Sequence, residues 1–136
     1  MKKFKILEHP SDFKIMVFGK EKKELFENAM IGMFEGARYE EEVKSQKSKV
    51  KIKILSLDLP SLLVDFLSEV LYLCETKKEV YQKIEFEKLT EKELKGILLG
   101  KKLKKIGISI KGVTYHGLNI HQRKNGIWQA IVLFDI

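Results

Sequence analysis

Residues 58–76 read DLPSLLVDFLSEVLYLCET, and this stretch decides the fold class of the chain. Asp58 can accept hydrogen bonds from the free N–H groups of a first helical turn, and Pro60 is tolerated in that turn. The stretch therefore predicts a helix that begins after Asp58 and runs to about Thr76. Its apolar residues cover more than one stripe of the helix surface, which indicates contacts with neighbouring elements on several sides. We expect this helix at the centre of the core, with Cys74 packed and reduced.

The segments around this helix predict strands and one further helix. Apolar residues recur at helical spacing over 21–35, and we expect Gly36 to end that helix. Strands are predicted at 4–7, 13–18, 49–54, 80–86, 94–99 and 105–112, followed by a hairpin of 117–122 and 127–136 around the turn Asn125-Gly126. Strands that mix with two helices without strict alternation indicate an α+β fold. We expect one domain, 1–136, in which a mixed, largely antiparallel sheet packs with two main helices.

Composition narrows the class of protein. The chain has 136 residues, 44% of them hydrophobic, which is enough for one core, and no apolar run approaches the length of a bilayer span. A single cysteine excludes an internal disulfide and a thiolate zinc site, and the first residues do not resemble a signal peptide. We therefore expect a cytoplasmic protein without a membrane partner.

The charge balance leaves two interpretations open. The net charge is +7, but Arg38 and Arg123 are the only arginines and the lysines are spread along the chain. An RNA-binding surface would use such charge, and the same lysine and glutamate bias also accompanies adaptation to heat.

The common catalytic motifs are absent from the sequence. It contains no phosphate-binding glycine loop, no G-x-S-x-G elbow and no H-E-x-x-H pair. His9, Ser11 and Asp12 lie too close together in one corner to form a catalytic triad, whose members come from distant segments. We predict no catalytic residues and an accessory protein in place of an enzyme.

Carboxylates at the end of the chain carry the most chemical information. The sequence stops within an apolar strand, so we expect its end to be tied down, which would place the Asp135 carboxylate and the α-carboxylate of Ile136 close together. Asp12 follows the first strand, and we expect the first and last strands to be neighbours. Clustered anions are costly unless lysine or a cation neutralises them. Three oxygen donors suit a hard cation such as calcium, magnesium or manganese, and lysine pairing is the structural alternative.

The same residues belong to segments that resemble the archease family along almost the whole chain. Five segments carry the resemblance in the family's order: 7–12 (LEHPSD), 24–34 (ELFENAMIGMF), 62–73 (LLVDFLSEVLYL), 111–116 (KGVTYH) and 134–136 (FDI). Two features depart from the family pattern. Pro10 and Ser11 replace threonine and alanine in the corner, and the loop expected at 101–109 is short and lacks an Arg-His pair, which leaves the role of that loop open.

The resemblance implies a function and a set of site residues. Archeases act with the ligase that joins 3′-phosphate or cyclic-phosphate RNA ends to 5′-hydroxyl ends in tRNA splicing, and they help that ligase to load guanylate and to turn over. By this resemblance Asp12, Asp135 and Ile136 are the metal ligands, with calcium expected first and magnesium or manganese as alternatives. His9 and His116 are expected either to contact the metal ligands without binding the metal or to contact the partner protein.

Two other functions remain open at the level of the sequence. One is a chaperone-like modulator of a tRNA methyltransferase or another RNA-processing enzyme, which the family resemblance also allows. The other is a module that binds RNA directly, whereas a ligase activator would meet RNA through its partner.

Overall fold

The computed structural model describes residues 1–7 and 12–136, which form eight strands and two helices. In chain order these are β1 (Phe4–Leu7), β2 (Phe13–Gly19), α1 (Lys22–Gly36), β3 (Tyr39–Glu41), β4 (Ser48–Leu55), α2 (Leu59–Lys77), β5 (Glu79–Leu89), β6 (Glu93–Ile106), β7 (Gly112–Gln122) and β8 (Trp128–Asp135). Every strand pairing among these residues is antiparallel. The predicted α+β class with two main helices is confirmed.

The first sheet has the strand order β1-β2-β8-β7. Along β2, the alternate residues Phe13, Ile15 and Val17 are buried, as a strand with one face on the core requires. The residues of β8 that pair with them, Phe134, Val132 and Ala130, are buried as well. Both helices pack against strands of this sheet, α1 against β2 and α2 against β7.

The second sheet is built around the long strand β6. β4 and β5 pair with the same part of β6, residues 94–100, so they lie on its opposite edges. β3 pairs with the later part of β6. Both helices also contact β5, so each helix touches both sheets and the core lies among these layers. This placement buries Met30 and Met33 of α1 completely.

The helix α2 begins and ends as ordinary capping chemistry predicts. Asp58 Oδ1 accepts a hydrogen bond of 2.8 Å from the N–H of Ser61, which confirms the predicted cap. Lys78 follows the helix with φ +56°, and its N–H donates to the carbonyl oxygen of Cys74. In the part of the chain that the structure describes, neither helix has both the length and the apolarity needed to cross a membrane.

The helix α1 ends at Gly36 as expected, but Gly36 does not turn the chain through its own backbone conformation. Gly36 is the last residue of the helix, and the left-handed conformation that turns the chain belongs to Arg38, with φ +58°. Gly36 has a packing role: a Cβ atom there would lie 2.5 Å from Cζ of Phe13. The glycine therefore allows β2 to approach α1, a contact that local sequence does not reveal.

The strand predictions fail in two places. The predicted strand at 105–112 is wrong over residues 107–111, which lie between β6 and β7, and the N–H groups of Gly107 and Ile108 donate to the carbonyl oxygens of Arg38 and Ala37. The segment 101–109, expected as a loop, belongs to β6 as far as Ile106. The short strand β3 was not predicted, since three residues give no periodicity.

The closing hairpin is confirmed. Gly126 has φ +89°, and its N–H donates to the carbonyl oxygen of Arg123 at 2.9 Å. The side chain of Asn125 accepts a hydrogen bond from the N–H of Ile127. This turn sets the register of β7 and β8, which starts with Gln122 opposite Trp128.

Candidate metal centre

The predicted ligands come from neighbouring strands of the first sheet. β2 pairs with β8 so that Phe13 lies opposite Phe134. Asp12 and Asp135 each lie one residue beyond this pair along their segments, Asp12 in the bend before β2 and Asp135 as the last residue of β8. The expectation that the first and last strands are neighbours is wrong, because β2 separates β1 from β8. Asp12 still lies near the end of β8, because it directly precedes β2 and the pairing with β8 begins one residue later, at Phe13 and Phe134.

Packing of two aromatic rings shows on which face of the sheet Asp135 lies. The side chains of Phe13 and Phe134 are buried, and their rings stack with centroids 5.4 Å apart. Because successive strand residues point to opposite faces, Asp135 points away from the core, and it is exposed. The N–H of Lys111 donates to the carbonyl oxygen of Asp135 at 2.7 Å, which ties down the end of β8.

Gly112 completes this row on the other side of β8. It lies opposite Asp135 in the pairing of β7 with β8. A Cβ atom built on Gly112 would lie 3.8 Å from Oδ2 of Asp135, so the carboxylate sits beside a position without a side chain. Sequence reasoning missed Gly112, because only the strand register reveals that it faces Asp135.

The remaining predicted residues differ in their placement. Ile136 follows Asp135 directly and is 41% exposed. His116 lies in the irregular part of β7, between Thr114 and Asn119, where the register shifts. Its backbone N–H donates to Oγ1 of Thr114. His9 lies outside the residues that the structure describes.

The donor set can be compared with what metal ions require. Within 1–7 and 12–136, no group of three or more His, Cys, Asp and Glu side chains is arranged to hold an ion. The candidate centre therefore has two side-chain carboxylates, Asp12 and Asp135, and needs the α-carboxylate of Ile136 as its third protein donor. An all-oxygen set of this kind fits a hard cation that also keeps water ligands.

The cysteine and a buried tyrosine belong to the core. Cys74 is 1% exposed, and burial raises the pKa of its thiol to about 12. Burial also raises the pKa of the Tyr81 hydroxyl, which donates to Glu79 Oε1. The prediction that Cys74 is packed is confirmed, and its protonated thiol is poorly suited to act as a nucleophile.

Sequence comparison connects this geometry to known proteins. The model of the Archease protein family matches residues 4–136. A protein archease of Methanosarcina mazei is 36% identical over 143 residues, which cover 99% of this chain and 97% of that protein. A protein archease of Methanothermobacter thermautotrophicus is 29% identical over 143 residues, with both chains covered completely.

Solved structures share the fold of this chain. The solution structure of Methanobacterium thermoautotrophicum protein 1598 is 27% identical and matches with a TM-score of 0.72, covering 100% of both chains. The crystal structure of an archease from Thermotoga maritima, described as a possible chaperone, shares this fold with a TM-score of 0.67 at 22% identity, covering 97% of this chain and 96% of that one. From the family match across nearly its whole length, the chain belongs to the archease family.

Proposed function

We propose that this protein is a metal-binding accessory protein that activates the RNA ligase of tRNA splicing. In this proposal it promotes guanylylation of the ligase and its multiple turnover. Family membership supports an accessory role, and the observation that carries the proposal further is the pairing of β2 with β8, which brings Asp12, just before β2, near Asp135 at the end of β8. Two carboxylates at neighbouring strand ends provide oxygen donors for a cation, and a bound cation would lower the cost of holding them close together.

The chain's own residues have defined roles in this proposal. Asp12 and Asp135 hold the ion from two strands whose spacing is fixed by the core on the opposite face. The α-carboxylate of Ile136 supplies the third oxygen, and Gly112 leaves space beside the carboxylate of Asp135. Calcium is the first candidate, with magnesium and manganese as alternatives. The bound ion would supply positive charge toward phosphate groups at the ligase.

The test replaces each ligand while keeping its volume. We expect Asp12→Asn and Asp135→Asn to lose binding of calcium and manganese in calorimetric titration, with unchanged circular dichroism, because an amide cannot replace the anionic donor. Both variants should also fail to raise the number of products formed per ligase in ligation with limiting ligase. Glu40→Gln is the matched control, since Glu40 is an exposed carboxylate on β3.

Two results would contradict the proposal. Unchanged ion binding by both aspartate variants would show that Asp12 and Asp135 are not metal ligands. Full stimulation of the ligase by variants that bind no ion would show that activation does not require the metal. Stimulation of a tRNA methyltransferase instead of the ligase would favour the chaperone-like alternative.

A further inference from the structure

A cleft of about 420 Å³ lies beside the N-terminal half of α2. We call it the Leu57 cleft; its lining residues are Leu55, Ser56, Leu57, Ser61, Asp65 and Tyr115. Three of these are large side chains that face solvent: Leu57 is 86% exposed, Leu55 67% and Tyr115 57%. Such clustering of exposed apolar groups is typical of a surface that another molecule covers.

In this cleft, the Asp65 carboxylate accepts hydrogen bonds from two neutral hydroxyl groups. Its Oδ2 accepts a hydrogen bond of 2.5 Å from the hydroxyl of Ser56, and its Oδ1 accepts one of 2.5 Å from the hydroxyl of Tyr115. This contact with Asp65 raises the pKa of Tyr115, so the phenol remains a protonated donor. Among the described residues, no lysine or arginine forms an ion pair with Asp65. Each oxygen keeps a further lone pair toward an incoming cation.

The charge of the cleft restricts the partner. Asp58 adds a second negative charge close enough to act on Tyr115. Nucleic acid is disfavoured because its phosphates carry the same sign. A cationic group is favoured, and arginine fits best, because its planar guanidinium can pair with a carboxylate and stack on an aromatic ring such as that of Tyr115.

We propose that the Leu57 cleft receives a segment of a partner protein in which an arginine side chain is flanked by apolar residues. The arginine pairs with Asp65, and the apolar residues cover Leu55 and Leu57. The inference rests on the proposed function for its partner, which is the ligase. Tyr115 is three residues after Gly112 on β7, which corresponds to about 10 Å of strand, so the cleft and the candidate metal centre lie close together along β7.

The experiment measures the affinity of the full-length protein for purified ligase by titration calorimetry. We expect Leu57→Ser and Asp65→Asn each to weaken binding about tenfold or more, because one removes apolar contact and the other removes the charge. Val43→Ser is the matched control, since Val43 is 69% exposed and belongs to the turn that precedes β4. We expect its affinity to stay within about twofold of the wild type. Calcium titration should give the same result for all three variants as for the wild type.

The outcomes separate this inference from the proposed function. Unchanged affinity of both cleft variants overturns the docking site, while stimulation of the ligase leaves the proposed function standing. If the wild-type protein neither binds nor stimulates the ligase, both are overturned. A change confined to self-association in analytical ultracentrifugation would assign the cleft to a second copy of the chain and would also overturn the inference.

Discussion

At the scale of single residues, the most informative feature of this protein is the pair of like charges on Asp12 and Asp135. Like charges held close together on neighbouring segments are unfavourable, and Asp12 and Asp135 lie one residue beyond the paired residues Phe13 and Phe134. The stacked rings of Phe13 and Phe134 hold these two strand ends together from the core side. That Asp12 and Asp135 bind a cation stays a prediction.

Cys74 gives a prediction at the same scale. Its side chain is buried and its thiol pKa is raised from 9.0 to about 12, since burial penalises the thiolate. We expect a maleimide reagent to leave native protein unlabelled at pH 8 and to label it fully in denaturant. Labelling of the native protein at the rate of an exposed thiol would contradict the burial.

The raised pKa of Cys74 also determines how the stability of the fold depends on pH. The unfolded thiol ionises as the pH passes 9.0 while the folded one stays protonated to about 12. The contribution of Cys74 to stability is therefore complete below pH 9.0 and declines as the pH rises toward 12.

At the scale of elements, the sheet and the first helix are held together by a very close approach at Gly19. A Cβ atom at this position would lie 2.4 Å from the backbone nitrogen of Leu25 and 2.7 Å from its Cα. Both are backbone atoms of α1, so neither can rotate away as a side chain would. The end of β2 and the start of α1 must therefore shift together to accept any side chain.

We predict that Gly19→Ala lowers the free energy of unfolding by about 1–3 kcal/mol, because the added methyl group overpacks the junction of β2 with α1. Urea denaturation measures the change. Gly112→Ala is the control, since its Cβ would meet the nearest atom at an ordinary 3.8 Å, and we expect a change within about 0.5 kcal/mol. Equal stability of the two variants would mean that the junction is more compliant than its geometry indicates.

At the scale of the whole molecule, the strand order decides where the C-terminal residues lie. β8 is an inner strand, flanked by β2 and β7, so its end is surrounded by other backbone and not placed at a sheet edge. Ile136 continues directly from this position and is partly exposed. A residue added after Ile136 would therefore begin at the candidate metal centre.

This arrangement predicts that a short extension after Ile136 impairs both ion binding and stimulation of the ligase. The extension converts the α-carboxylate into a neutral amide and moves the terminal charge several Å away. An extension before Met1 is the control and should have no effect. Ile136→Val keeps the carboxylate and should behave as the wild type. Calorimetry and multiple-turnover ligation measure the two effects, and full function of the C-terminally extended protein would exclude the α-carboxylate as a ligand.

The sequence by itself determined the features that depend on neighbouring residues. The cap at Asp58, the turn at Asn125-Gly126 and the alternation along β4 follow from local hydrogen bonding and from strand periodicity, and the structure confirms them. Family membership was also readable, because five segments occur in the right order. The choice of Asp12 and Asp135 as ligands came from charge and from the resemblance, and it stays a prediction.

Only the tertiary structure decided which distant residues meet. The separation of β1 from β8, the place of Gly112 beside Asp135 and the pairing of Tyr115 with Asp65 depend on strand order and register. The position of the end of α1 was predicted, but its reason was not, since the ring of Phe13 leaves no room for a Cβ atom at Gly36. Such contacts join segments that are far apart in the chain, and their energies depend on packing that no local pattern of residues specifies.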